Sequence, residues 1–198
     1  MAKKILPDSH YEKGAKPVSE LRRDVVSKDW VLLAPGRSRR PHFFINKNKQ
    51  TAQPEMKGVC PFDDPQKSGN LPPVLVYQNK KGTDWFLQVI PNKFPLLGPG
   101  SCDVIREVGP YQAQDGAGNH EVVILHDHNR HISQYKKDEF KMLLLAYQDR
   151  FKSLAAQKCI DYVSIFHNYG VEAGASVFHP HSQILALPFV PSDIKRSL

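Results

Sequence analysis

One segment of the chain repeats its apolar residues with the period of an α-helix, and this segment most constrains the fold. The repeat places one apolar stripe along a single helical face. The stripe consists of Phe140, Leu143, Leu144, Tyr147, Phe151 and Leu154. Asp138 lies at its start, where a carboxylate opposes the positive end of the helix dipole. We therefore predict one long helix near residues 136–158.

The other apolar segments are short and typical of β-strands. Two pairs of such runs flank turn-prone residues, which predicts hairpins over residues 21–34 and 74–90. Further strands are predicted over residues 103–108, 121–125, 162–168 and 178–187. Many strands with one long helix favour an α+β domain with a largely antiparallel sheet.

The net charge of +7 is concentrated at the amino-terminal end of the chain. Residues 1–57 contain 13 lysines and arginines against 6 acidic residues, whereas the remaining residues contain 14 of each. The sequence has no basic patch interleaved with aromatic residues, so we expect no nucleic-acid partner. Residues 1–18 are polar and interrupted by proline and glycine, which predicts a flexible basic tail before a domain over residues 19–198.

No apolar run approaches the roughly 18 residues that a membrane span requires. The first residues are charged and lack the apolar stretch of a secretory signal, so we expect a soluble, cytoplasmic protein. The three cysteines are odd in number and widely spaced, which does not suggest a disulfide framework. We expect Cys102 and Cys159 to be reduced packing residues.

The histidine residues are unevenly distributed, and seven of the nine lie within residues 120–181. The informative run is HPHSQ at residues 179–183. On a strand, His179, His181 and Gln183 would share one face. Apolar segments flank the run on both sides, which is typical of residues that are buried or line a cleft. Three polar side chains on one face, beside a glycine-containing loop, indicate a functional site.

This run resembles the active-site segment of galactose-1-phosphate uridylyltransferases, a branch of the histidine-triad superfamily. The resemblance covers five ordered blocks over residues 20–191: DWVLLAPGRSRRP, CPFDDP, VIPNKFP, HEVVILHDHN and HNYGVEAGASVFHPHSQILALPFVP. It implies a histidine-triad-like α+β domain, mainly an antiparallel sheet with one long helix packed on it. The family continues into a second domain, which is absent here. Residues 19–198 would therefore be the N-terminal catalytic domain, either as a fragment or completed by a partner chain.

The resemblance implies a double displacement between sugar 1-phosphates. His181 would attack the α-phosphorus of UDP-glucose, glucose 1-phosphate would leave, and galactose 1-phosphate would then take the uridylyl group. Neutral imidazole is nucleophilic near pH 7 and forms a labile phosphoramidate, which suits this role. Gln183 would donate a hydrogen bond to a phosphoryl oxygen. Because glutamine is neither acid nor base, it favours transfer over hydrolysis.

Further residues match positions near the nucleotide sugar in the family. Arginine side chains suit phosphate groups, and glycines let backbone N–H groups approach a diphosphate closely. The matching residues are Arg37, Arg40, Asn92, Asn168, Gly174 and Ser176. Relatives complete their sites partly across a dimer interface, so the resemblance also implies a homodimer.

Many relatives hold a structural zinc ion between a Cys-x-x-Cys pair and two distant histidines. The matching residues are Cys60, Asp63, His128 and His179, where Asp63 replaces the second cysteine and Asp64 is an alternative to it. One thiolate, one carboxylate and two imidazoles form a legitimate Zn²⁺ ligand set, though a harder one than a set with two thiolates. The competing interpretation is a hydrogen-bond network among the same groups without zinc.

Three other functions stay open at this point. Relatives that act on ADP-glucose share the HPHSQ run, so a transferase or phosphorylase for another nucleoside diphosphate sugar is an alternative. A histidine-triad hydrolase is disfavoured by Gln183. A non-catalytic nucleotide- or zinc-binding fragment is the third alternative, and it would bind ligand without forming a covalent intermediate.

Overall fold

The computed structural model describes residues 3–5, 19–39, 60–170, 173, 175 and 177–197. The strands within this part of the chain are β1 (Lys3–Ile5), β2 (Glu20–Arg23), β3 (Trp30–Leu33), β4 (Leu75–Gln78), β5 (Trp85–Pro91), β6 (Arg106–Val108), β7 (Tyr111–Asp115), β8 (Asn119–Leu125), β9 (Tyr162–His167) and β10 (His181–Leu187). The helices are α1 (Lys137–Ala155) and α2 (Ser192–Ser197), with 3-10 helices at Pro35–Arg39 and Ile132–Gln134.

Six strands form the larger sheet in the order β1-β4-β5-β8-β10-β9. Every neighbouring pair in it is antiparallel. In the register of β8 and β10, His181 lies opposite Ile124 and Gln183 lies opposite Val122. The long helix α1 packs on one face of this sheet through Leu143, Ala146 and Leu154. The predicted α+β class, with a mainly antiparallel sheet and one long helix packed on it, is confirmed.

The smaller sheet has the order β3-β2-β7-β6 and is also antiparallel. Residues 116–118 carry the chain from β7 in this sheet to β8 in the larger one. Gly118 has a φ of 151°, and a Cβ at this position would collide with the backbone carbonyl oxygen of Ala186. The two sheets therefore meet at a position that only glycine fits.

Helix α1 lies within the predicted range, but its buried face differs from the predicted stripe. Leu143 and Leu154 are buried, whereas Phe140, Leu144 and Phe151 are 41–49% exposed. The buried face is rotated toward Arg150, whose guanidinium donates to both carboxylate oxygens of Glu121 on β8, at 2.9 and 2.7 Å. Periodicity located the helix correctly, but it did not predict that a charged residue would lie at the centre of the contact.

The larger sheet has a different environment on each face. One face carries the main core, which includes α1 and the strand residues Val89, Val123, Leu125 and Ile184. The opposite face carries a smaller cluster of Ile90, Val122 and Ile124, against which Phe62 and Trp85 pack. His181 and Gln183 alternate with Ser182 and Ile184 along β10, so they lie on this second face.

Both predicted hairpins are present as β2–β3 and β4–β5. Strand β7 was not predicted, because it pairs within a largely exposed sheet and lacks apolar alternation. The predicted strand at 178–187 begins only at His181. Pro180 has no N–H to donate to a strand ladder, so the pairing begins after it. Strand alternation therefore does not position His179, contrary to the prediction.

The expectation of reduced Cys102 and Cys159 is wrong. The two residues form a disulfide that joins the loop before β6 to the segment after α1. A separation of 57 residues along the sequence hid this pairing. Cys60 is buried and free, and it belongs to a different cluster.

The predicted basic tail contains strand β1, which pairs with β4. The other residues of the range 1–18 lie outside the described part of the chain, so the tail stays a prediction there. Among the described residues, no helix combines the length and apolar character that crossing a membrane requires.

Candidate active site

His181 is the first residue of β10 and is only 4% exposed. Its ring atom Nδ1 lies 2.8 Å from the backbone carbonyl oxygen of His179. A carbonyl only accepts, so Nδ1 carries the ring proton and donates it. In the neutral ring, Nε2 then bears the lone pair. The backbone thus fixes the tautomer in which Nε2 is the nucleophilic atom of His181.

Phe62 supports both histidines of the HPHSQ run. Its ring centroid lies 5.1 Å from that of His181 and 5.9 Å from that of His179, in edge-on arrangements. The sequence analysis gave Phe62 no role. Its position between Cys60 and Asp63 in the CPFDDP block was the available signal.

Gln183 lies two residues further along β10 and is 9% exposed. Its Oε1 is 2.9 Å from Nε2 of His120, a β8 residue that is 1% exposed. The other ring nitrogen of His120 accepts from the backbone N–H of Leu96 at 2.9 Å. His120 was also missed as a site residue, although it was part of the histidine concentration.

The loop after β5 brings two predicted binding residues beside His120. Oδ1 of Asn92 accepts from the backbone N–H of Phe94 at 2.8 Å, and its Nδ2 lies 3.1 Å from His120 Nε2. The guanidinium of Arg37 donates to the carbonyl oxygen of Phe94 at 2.9 Å. The structure therefore gathers Arg37, Asn92, His120 and Gln183 into one region.

The remaining predicted binding residues are not joined to this group. Asn168 follows β9 and is half-buried, and no hydrogen bond among the described residues links it to His181 or Gln183. Arg40, Gly174 and Ser176 lie outside the described residues. Their predicted contacts with nucleotide sugar stay predictions.

The predicted metal ligands form one cluster, which we call the CDHH cluster: Cys60, Asp63, His128 and His179. One donor atom from each residue lies within 4.8 Å of the others. Asp63 Oδ1 is 2.6 Å from His128 Nδ1 and 3.2 Å from His179 Nδ1. The sulfur of Cys60 is 3.7 Å from the same His179 nitrogen. The ligand set predicted from the sequence is thus brought together, with Asp63 rather than Asp64 in it.

The surroundings of His179 fit a cation. Its Nε2 lies 2.6 Å from the carbonyl oxygen of Leu125, which places the ring proton on Nε2 and leaves a lone pair on Nδ1. Burial lowers the pKa of His179, which favours the neutral ring. That lone pair faces the carboxylate of Asp63, and two acceptors this close need a cation or a proton between them. A carbonyl-bound second nitrogen is also the usual arrangement of a metal-binding histidine.

The other two ligands differ in charge state. Burial raises the pKa of the Cys60 thiol to about 11, so metal binding would have to release its proton. Burial also acts to raise the pKa of Asp63, but the hydrogen bond from His128 and the nearby histidine charges lower it below its ordinary value. Asp63 is therefore a carboxylate near neutral pH, ready to accept a cation.

Ser182 points away from the site, as the strand alternation predicted. Its hydroxyl lies 2.6 Å from the Tyr147 hydroxyl and 3.0 Å from Nδ1 of His167. Burial, with a smaller contribution from the charge of His131, lowers the pKa of His167. This network ties β10 to α1 and β9, which holds His181 and Gln183 in a fixed strand.

Comparison with known proteins gives consistent matches. A family model described as "Galactose-1-phosphate uridyl transferase, N-terminal domain" matches residues 10–191. The chain is 34% identical over 182 residues to an ADP-glucose phosphorylase of Arabidopsis thaliana, covering 90% of this chain and 51% of that protein. It is 29% identical over 178 residues to a galactose-1-phosphate uridylyltransferase of Thermotoga maritima, covering 89% and 49%.

Similarity to a solved structure agrees with these sequence matches. The crystal structure of an Arabidopsis thaliana ADP-glucose phosphorylase with bound ADP-glucose superimposes with a TM-score of 0.58 and 28% identity, covering 89% of this chain and 51% of that one. The chain therefore spans about half the length of the relatives it matches.

Proposed function

Because this chain belongs to the galactose-1-phosphate uridyl transferase family, matched over the N-terminal domain, we propose that it transfers a nucleotidyl group by way of His181. The observation that carries the proposal is the hydrogen bond from His181 Nδ1 to the His179 carbonyl, 2.8 Å long. It presents the lone pair of Nε2 in a buried site beside an amide donor, Gln183. Such an imidazole is an activated nucleophile that needs no separate base.

The proposed reaction has two displacements. The Nε2 lone pair attacks the α-phosphorus of a nucleoside diphosphate sugar, a P–N bond forms, and the bond from phosphorus to the bridging oxygen breaks. The sugar 1-phosphate leaves with that electron pair. A phosphate oxygen of the acceptor then attacks phosphorus and the P–N bond breaks, which returns the lone pair to Nε2. Nδ1 keeps its proton throughout, and the His179 carbonyl stabilises the positive charge on the substituted ring.

Gln183 contributes a hydrogen bond to a non-bridging phosphoryl oxygen. Negative charge on these oxygens changes as phosphorus becomes five-coordinate, so a fixed donor lowers the barrier. Removal of one such donor slows catalysis on the order of 10²-fold. Because a glutamine cannot protonate a leaving group, the second displacement depends on a phosphate-bearing acceptor rather than water.

The substrates we propose are UDP-glucose and galactose 1-phosphate, as in uridylyltransferases of the family. A second candidate is an ADP-glucose phosphorylase, in which inorganic phosphate is the acceptor. The 34% identity to the Arabidopsis thaliana ADP-glucose phosphorylase favours this candidate, against 29% to the Thermotoga maritima uridylyltransferase. Both reactions share the first displacement and the same nucleophile.

We propose that Zn²⁺ occupies the CDHH cluster. Its mixed sulfur, oxygen and nitrogen donors suit zinc, and their convergence within 4.8 Å supports the assignment. The ion would supply structural stabilisation, not chemistry at phosphorus. His179 provides the connection, because its ring belongs to the cluster and its carbonyl holds His181.

The proposal extends to the organisation of the protein. Residues 19–198 would act as the N-terminal catalytic domain of a cytoplasmic enzyme. Since the chain spans about half the length of its relatives, further sugar and nucleotide contacts would come from a second domain or from the partner in a homodimer. Arg37, Arg40, Asn92, Asn168, Gly174 and Ser176 are the residues we propose to contact the nucleotide sugar from this side.

Intact-protein mass spectrometry tests the proposed reaction. The purified chain is mixed with UDP-glucose or ADP-glucose and quenched at alkaline pH, where phosphoramidates survive. A mass gain of one UMP or one AMP identifies the nucleotide. The adduct is then mixed with galactose 1-phosphate or with inorganic phosphate, and the acceptor that removes the label identifies the reaction. Absence of any adduct, also with the second domain of a relative added, would contradict the proposal.

A further inference from the structure

We infer that His120 is a positioning residue that sets the orientation of the Gln183 side-chain amide, so that its NH₂ group and not its carbonyl faces the phosphoryl group. The inference rests on the proposed role of Gln183 as a donor to phosphate. It concerns a residue that lies outside the HPHSQ run and on a different strand, β8.

The argument begins at the backbone of Leu96. Its N–H lies 2.9 Å from Nδ1 of His120, and a backbone amide has a hydrogen to donate and nothing to accept with. Nδ1 therefore accepts and carries no proton. A neutral imidazole then has its proton on Nε2, and a charged ring, which needs a proton on both nitrogens, is excluded by the same contact.

The Nε2 proton of His120 has two neighbours, Oε1 of Gln183 at 2.9 Å and Nδ2 of Asn92 at 3.1 Å. The orientation of the Asn92 amide is fixed, because its Oδ1 accepts from Phe94 N–H at 2.8 Å. The atom it turns to His120 is therefore nitrogen, a donor that cannot receive the proton. Oε1 of Gln183 is the acceptor of this pair.

The consequence is a directional relay from the backbone to the reaction centre. Leu96 N–H donates to His120, His120 Nε2–H donates to Gln183 Oε1, and the NH₂ of Gln183 remains as the donor end. A flipped Gln183 amide would place its NH₂ group against His120 Nε2–H, two donors facing each other in a site where the ring is 1% exposed. Burial excludes water from relieving that conflict, so a single amide orientation persists.

The backbone holds the relay in place. The N–H of Asn92 donates to the carbonyl oxygen of His120 at 2.8 Å, and β8 pairs with β10 over the residues around Gln183. Arg37 donates to the carbonyl of Phe94 in the same loop. The loop of residues 92–96 thereby couples the nucleotide-sugar side of the site to the orientation of Gln183.

Two substitutions separate the donor at Nε2 from the rest of the ring. His120→Asn keeps an acceptor near Nδ1 for Leu96 but has no donor that reaches Gln183. His120→Gln places an amide N–H near the position of Nε2 and restores that donor. The measurement is the rate of adduct formation with UDP-glucose and with ADP-glucose in single-turnover mass spectrometry, with thermal unfolding to check folding.

We expect His120→Asn to slow adduct formation roughly tenfold to hundredfold, as for a displaced donor, and His120→Gln to recover most of the rate. His120→Asn combined with Gln183→Ala should be no slower than Gln183→Ala alone, because His120 acts through Gln183. A wild-type rate in His120→Asn, or additive losses in the double variant, would overturn the inference.

Nitrogen-15 NMR of the histidine rings in the wild-type chain tests the relay without turnover. The inference requires the Nε2–H tautomer of His120 at neutral pH. An Nδ1–H or doubly protonated ring would overturn it even if the chain forms the adduct. Conversely, an Nε2–H ring in a chain that forms no adduct would contradict nucleotidyl transfer and leave the relay intact, so the two failures are distinguishable.

Discussion

Replacement of Arg150 by methionine tests how the long helix is attached to the sheet that carries the site. Arg150 donates from Nε and Nη2 to the two carboxylate oxygens of Glu121, at 2.9 and 2.7 Å, and the side chains are only 3% and 4% exposed. Methionine keeps the helix propensity and most of the apolar stem. It leaves the buried Glu121 carboxylate without this guanidinium.

Breaking one partner of a buried ion pair costs about 3–5 kcal/mol. In a protein of this size, each kcal/mol lowers the unfolding midpoint by about 2–4 °C, so we expect a fall of about 6–20 °C. Chemical unfolding followed by circular dichroism measures the free energy. The matched control is Arg150→Met with Glu121→Gln, which removes the unpaired charge and should be more stable than Arg150→Met alone. A loss below about 1 kcal/mol in the single variant would refute this reasoning, since that is the range of exposed pairs.

Three further predictions concern the metal, pH and the disulfide. Chelation of Zn²⁺ should lower the unfolding midpoint by several degrees, since a ligand at 100 times its dissociation constant stabilises by about 2.7 kcal/mol; Zn²⁺ should restore it, and Asp63→Ala should abolish the response. The depressed pKa of buried His167 means that the unfolded chain binds more protons below the ordinary value of 6.5, so stability should fall as pH decreases through that region, by at most about 1.4 kcal/mol per pH unit; His167→Gln should flatten the profile, and an unchanged slope would contradict the assignment. Reduction of Cys102–Cys159 should cost about 4 kcal/mol by the loop-entropy relation for its 57-residue separation, whereas a variant with serine at both positions should be insensitive to reductant.

The parts of the fold that depend on local pattern could be predicted from the sequence. The period of α1, the two hairpins and the alternation of His181, Ser182 and Gln183 follow from residues close together in the chain. The set Cys60, Asp63, His128 and His179 was implied by resemblance, and the structure brings its atoms together.

What could not be predicted depends on contacts between distant segments. The rotation of α1 follows from the pairing of Arg150 with Glu121, 29 residues apart. The carbonyl that orients His181 is that of His179, and a sequence does not show where a carbonyl points. The role of His120 depends on its register with β10 and on Leu96 from a separate loop.

The central claim is that Nε2 of His181 becomes covalently bonded to the α-phosphorus. The most direct measurement is tandem mass spectrometry of the chain labelled with UDP-glucose or ADP-glucose and digested at alkaline pH. We predict that the nucleotidyl group lies on the peptide containing His181, on that residue, and that His181→Ala forms no adduct while keeping its fold. A label on another residue, or an adduct that persists in His181→Ala, would contradict the account.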